Sequence, residues 1–305
     1  LPCFSFAVQF KKVPVNKQQI ILLSTAILAV FLLFFFGRTV PKNEPKPQPA
    51  ATHTEPHQEL DFPTMLSQAK KRLTPAQLEK VTGWENSISR RDVKEQQITL
   101  YRTLSRFWMD SVGAFVPYIK YLGEAAKLEK SEKNLTFAAH LLLSELQTVE
   151  EQPLQVWMAK EAKELFEKAL ELNPGNDSTK VGLGSCYFFG GAGAEPPMRG
   201  IALIREVTEK DPNNTFAQYM LGVGSFISGQ MPKAIERFKK VVELQPENLE
   251  VILRLADAYE QSGDKAAAKE WYQQFITTVK KLESQKKFKG NPEMLKQIEA
   301  HIKTL

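Results

Sequence analysis

Three stretches, LELNPGN (170–176), TEKDPNN (208–214) and VELQPEN (242–248), decide the fold of this chain. Each closes an amphipathic run on a proline, and Pro174, Pro212 and Pro246 lie 38 and 34 residues apart. That interval is the period of a stacked helical repeat, in which a unit buries its apolar face only against its neighbours. The longer interval carries extra residues between the two helices of its unit, where GGAGAEPP (190–197) reads as an extended turn. This glycine-rich turn lacks the G-x-x-x-x-G-K-[ST] spacing and the preceding strand of a phosphate cradle.

Small and large residues recur within each period at helical spacing. Ala162, Phe166, Ala169 and Pro174 fit A-x3-F-x2-A-x4-P, and Leu183, Gly184 and Tyr187 fit L-G-x2-Y. Gly200, Ile204, Val207 and Pro212 complete that unit; Leu221, Gly222, Ala234, Phe238, Val241 and Pro246 form the next. Leu255, Ala256, Tyr259, Gly263, Ala268, Tyr272 and Phe275 form the last. Small residues let two antiparallel helices approach, large ones fill the space beside them, and proline ends the second helix by withholding a donor. On these residues the chain resembles the tetratricopeptide repeat family, firmly over 155–280 and loosely over 92–154. The family's tryptophan is missing, and Lys280 stands where a last proline is expected.

The expected fold is all-α: an N-terminal transmembrane helix, then an α-solenoid of paired helices, then a capping helix. Beyond Pro63 no stretch reads as a strand. Asp92–Asp110 with Ala114–Lys130, and Leu135–Glu150 with Pro153–Leu172, read as degenerate helix pairs within a region spanning 64–154. The repeats occupy 155–280. In 281–305, Asn291-Pro292 starts an amphipathic helix suited to covering the open end of the array.

Residues 20–36, IILLSTAILAVFLLFFF, contain no charge, and thirteen of the seventeen are Ile, Leu, Val or Phe. On an insertion scale these favour a spanning helix by at most about 6 kcal/mol. The run is longer than a signal-peptide core and no small-x-small site follows it, so 20–37 reads as a signal anchor after a tail, 1–19. Lys11, Lys12 and Lys17 before it tie with Arg38, Lys42 and Lys46 after it. The acid-free tail and the large following domain favour tail inside and repeats outside. Residues 38–63 hold six prolines and read as a semi-rigid spacer.

Forty basic and 35 acidic residues are too evenly matched to make nucleic acid a default partner. Two cysteines, Cys3 and Cys186, flank the apolar run, which rules out a disulfide framework. The four histidines do not cluster: His53 and His57 lie in the proline-rich spacer, His140 in the apolar helix FAAHLLL, and His301 near the end. No catalytic, cofactor or metal site is expected, and the chain reads as a non-enzyme. The run from Lys280 to Lys289 is diluted by Glu283 and reads as solvated surface.

The resemblance implies an inner groove for a protein or peptide, lined by the first helix of each repeat. Its positions here are Val181, Ser185, Phe188 and Phe189; Phe216, Tyr219, Met220, Val223 and Phe226; and Leu253, Arg254 and Asp257. The first two groups are apolar and the third polar, and whether the aromatics line the groove or pack in the core stays open at this point. Family members that grip acidic peptide tails use Lys, Asn and Arg at places occupied here by Val181, Ser185, Met220, Glu250 and Arg254, so that role is disfavoured. The layout resembles bacterial single-span repeat proteins of the periplasm that assist secretion or cytochrome c maturation. The alternative is a cytosol-facing docking or import receptor.

Overall fold

At each proline-marked break the same three hydrogen bonds end one helix and start the next. Asn173 N–H donates to Ala169 O, Asn176 N–H to Asn173 O, and Thr179 N–H to Asn176 Oδ1 (2.9, 3.2 and 3.0 Å). Asp211, Asn214 and Ala217 repeat the pattern, as do Gln245, Asn248 and Val251. Proline sits between the first two of these donors, where a turn needs its fixed φ and no N–H is missed. The asparagine two residues later satisfies one of the open donors of the next helix.

The computed structural model describes residues 60–90, 93–189 and 196–305. The tail 1–19, the apolar run 20–37, the spacer as far as residue 59 and the turn 190–195 lie outside the described residues. Among those described there are helices and no strand. The helices are α1 (Phe62–Lys70), α2 (Pro75–Ser89), α3 (Lys94–Phe107), α4 (Phe115–Glu129), α5 (Glu132–Leu146), α6 (Gln152–Leu172) and α7 (Asp177–Cys186). After them come α8 (Pro197–Lys210), α9 (Thr215–Ile227), α10 (Met231–Leu244), α11 (Leu249–Gln261), α12 (Lys265–Ser284) and α13 (Pro292–Thr304). They pair in sequence, α3 with α4, α5 with α6, α7 with α8, α9 with α10 and α11 with α12, and each pair stacks on the next.

Size complementarity sets these pairs. A Cβ on Gly200 would meet Gly184 O at 2.2 Å, and one on Gly222 would meet the Phe238 ring at 2.5 Å. The backbones of α7 and α8 therefore touch, while Phe166 and Phe238, both fully buried, fill the wider gaps. Burying a side chain of this size contributes roughly 1.5–3 kcal/mol, so the aromatic and aliphatic layers between pairs hold the array together.

Three boundaries differ from the sequence reading. The spacer was expected to run through Pro63, but α1 begins at Phe62: Asp61 accepts from Thr64 N–H at 2.8 Å, and proline is tolerated in a first turn. The Phe62 ring stacks on Trp157 and meets Tyr121 edge-on, centroids 6.5 and 5.7 Å apart, so this spacer residue is an anchor on the domain. The helix expected over 92–110 ends at Phe107 and continues as a π turn, Trp108–Val112, closed by Gly113 at φ +65°. That wider turn keeps Trp108 fully buried. Finally, α12 runs four residues past the expected end of the repeats, and α13 lays Met294, Leu295, Ile298 and Ile302 beside Ile252, Phe275, Ile276 and Val279.

Candidate functional site

A cleft of about 400 Å³ opens on the inner face of the array, between α5, α9 and α11. From α5 and the turn after it come Ser144, Gln147 and Thr148; from α9, Thr215, Phe216 and Tyr219; from α11 and its cap, Asn248, Glu250, Val251 and Arg254, with Val241 and Gln245 at the end of α10. Spacings of three and four place Phe137, His140, Ser144 and Gln147 on one face of α5. Phe137 is 55% exposed there, a large aromatic that the core does not use.

Tyr219 is the hub. Its hydroxyl donates to Glu250 on α11 and lies 3.3 Å from the side-chain oxygen of Gln147 on α5, 72 residues away in sequence. Burial, then the Glu250 carboxylate, holds the phenol above its ordinary pKa, so it stays a protonated donor. One helix turn away, the Phe216 ring meets His140 edge-on at 5.5 Å, and His140 also touches Phe166 at 5.0 Å. His140 Nε2 pairs with Ser178 Oγ at 3.1 Å, and burial lowers its pKa, which favours the neutral ring.

Of the expected groove residues, Phe216, Tyr219 and Arg254 come together in this cleft. Val181, Ser185 and Met220 are fully buried, and Val223 nearly so. Phe188 lies elsewhere, against Gly224 in a separate hollow of about 260 Å³ with Met198, Ile201 and Leu221. Phe189 and Phe226 are half-buried against the apolar layers, and Leu253 lies under α13. Asp257 accepts from Tyr272 at 2.7 Å, and burial holds its carboxyl above the usual range. The same hydroxyl is 2.7 Å from Glu260, which pairs with His301 at 2.8 Å and is lowered by that bond.

The contribution of α5 was missed, because this helix lies in the pair that lacks the full repeat motif. The signal for it was Phe137 preceding His140 by three residues on an otherwise apolar helix.

Side-chain amides, hydroxyls and one guanidinium beside an aromatic wall can hold a peptide backbone and an apolar side chain. Cys186 is buried and its thiol is pushed up by that burial, which leaves it inert as a nucleophile. Among the described residues no group of three His, Cys, Asp or Glu side chains is placed to hold a metal ion.

Residues 225–275 and 158–176 each match a family model described as tetratricopeptide repeat. No curated protein matches the chain. Similar solved structures include the MamA protein, at 17% identity over 64% of this chain and 98% of that one, with a TM-score of 0.42. MamA from Desulfovibrio magneticus RS-1 is 21% identical over 60% and 96%, with a TM-score of 0.42. YrrB, described as a TPR protein with an unusual peptide-binding site, is 20% identical over 64% and 91%, with a TM-score of 0.37. At these identities and scores the likeness bears on neither site nor partner. The repeat register and the two matched segments together show that the chain carries tetratricopeptide repeats.

Proposed function

We propose that this chain is a non-catalytic, membrane-tethered scaffold that holds a protein or peptide partner in the cleft between α5, α9 and α11. One observation carries the reading: half-buried Phe216 lines a polar cleft whose donors and acceptors converge from the helix pairs of α5, α9 and α11, and exposed Phe137 lies on the same face of α5 as the residues that line it. An extended or helical segment would set an apolar side chain against the aromatics and its backbone against Gln147, Gln245, Asn248 and Arg254. Peptides selected by display on residues 60–305 test this. Binding that is weakened at least tenfold by Phe137→Ala or Arg254→Ala supports the reading; selected peptides indifferent to both substitutions refute it.

The uncharged run 20–36 supports a membrane tether, and our reading sets it in a bacterial inner membrane with the repeats on the periplasmic side, acting in secretion or maturation of envelope proteins. With Cys3 and Cys186 replaced by serine and a cysteine at Ala51, an impermeant maleimide should label cells whose outer barrier has been made permeable. Labelling only after lysis would place the repeats in the cytosol and favour a docking receptor.

A further inference from the structure

We infer that the groove is gated by the protein's own side chains: α5 and α9 meet across α7, and a partner reaches the α7 portion only when that contact opens. The gate regulates the site proposed above and rests on that reading.

The shortest helix of the array is α7, at ten residues, and it is sunk between its neighbours. Cβ atoms on Gly182 and Gly184 would strike the Phe166 ring at 2.3 Å and Gly200 O at 2.7 Å, so α7 lies hard against α6 and α8. The helices on either side then close over it. Ser178, whose hydroxyl meets His140, marks the inner side of α7, and Ser185 lies two turns further along the same face. Yet Ser185 has no exposed surface, and neither does Val181. Val181 packs in one core with Ile204 of α8 and with Ala217 and Met220 of α9, and two contacts join α5 to α9 across α7: the His140–Phe216 ring pair and the approach of Gln147 to Tyr219.

In a repeat array each unit is held by its immediate neighbours, so a contact that skips a unit adds little to the cores on either side and can break without them. The Tyr219 hydroxyl shares its one proton between Glu250 and Gln147, and the 3.3 Å approach to Gln147 is the weaker leg. Breaking that leg and the ring pair lets α5 swing from α9 and opens the α7 face at Ser185. A small residue flanked by an apolar one is a floor onto which a partner side chain fits.

The test uses the full chain with Cys3→Ser, Cys186→Ala and Ser185→Cys, labelled by a maleimide with and without Tyr219→Phe or Gln147→Ala. The gate predicts labelling faster than global unfolding and accelerated roughly three- to tenfold by Gln147→Ala, the loss of one hydrogen bond, and at least as much by Tyr219→Phe, which also loses the bond to Glu250. Equal rates in all variants, or rates that track global unfolding throughout, would overturn it. Independently of Ser185, spin labels at Thr148 and Gln245, both exposed at the cleft, should show a second, longer distance in the Tyr219→Phe chain. An unchanged distance distribution contradicts the gate. Neither readout involves a partner, so a failed gate and a failed groove are told apart.

Discussion

Gly200 and Gly184 bring two helices into backbone contact: a Cβ on Gly200 would sit 2.2 Å from the carbonyl oxygen of Gly184 and 2.8 Å from Tyr187 Cβ. Neither obstacle is a flexible side-chain tip, so Gly200→Ala must force α7 and α8 apart, at a cost of about 3 kcal/mol. Gly83, exposed within α2 with nothing near its missing Cβ, is the control. Gly83→Ala should stabilise by about 0.5–1 kcal/mol. Urea denaturation of both variants checks the contrast.

Asparagine caps join the repeats. Asn214→Ala removes the acceptor for Ala217 N–H and should cost about 1 kcal/mol. Asn248→Ala should cost a similar amount at the start of α11. The two sites share no partner, so a double variant should be additive.

Acidification should destabilise the fold through His140. Its burial lowers the folded pKa below the ordinary 6.5, so the unfolded chain binds the proton more tightly. Stability is therefore full above about pH 6.5 and falls as pH drops from there through the folded pKa. Lowered carboxyls such as Glu124 act only below the usual carboxylate range, where they lose stability as they protonate. Thermal scans from pH 7.5 to 5.5 should show a falling Tm, and His140→Leu should flatten the fall.

Phe62 tests where the spacer stops. Phe62→Ala removes a half-buried ring from Tyr121 and Trp157 and should cost about 1.5–3 kcal/mol, less than the full cost of a buried phenylalanine. Limited proteolysis should then cut within α1 while the rest of the array stays intact.

The repeats were legible because their determinants are local: a small residue, a large residue and a proline recur at fixed spacing, and Gly184, Phe166 and Pro174 do what that spacing implies. The capping asparagines were equally local, two residues after each proline, although the period is apparent without them. The site was only partly legible. Family geometry places Val181 and Ser185 on an open groove, whereas both are fully buried, Val181 in a core shared with α8 and α9. That depends on contacts between units, such as the 72-residue separation of Gln147 and Tyr219, which no motif encodes. Phe62 was hidden for a different reason, since a single aromatic at the end of a proline-rich run has no periodic context.

The central claim is that the inner cleft is where a partner binds, and photo-crosslinking from defined positions in cells tests it most directly. A crosslinking residue at Phe137 on α5 or at Thr148 in the turn after it should give the same discrete protein adduct, and Arg254→Ala should abolish it. At Glu167 on α6, the second helix of its pair, the same probe should give none. Adducts from Glu167 equal to those from the cleft, or a cleft adduct indifferent to Arg254, would contradict the account.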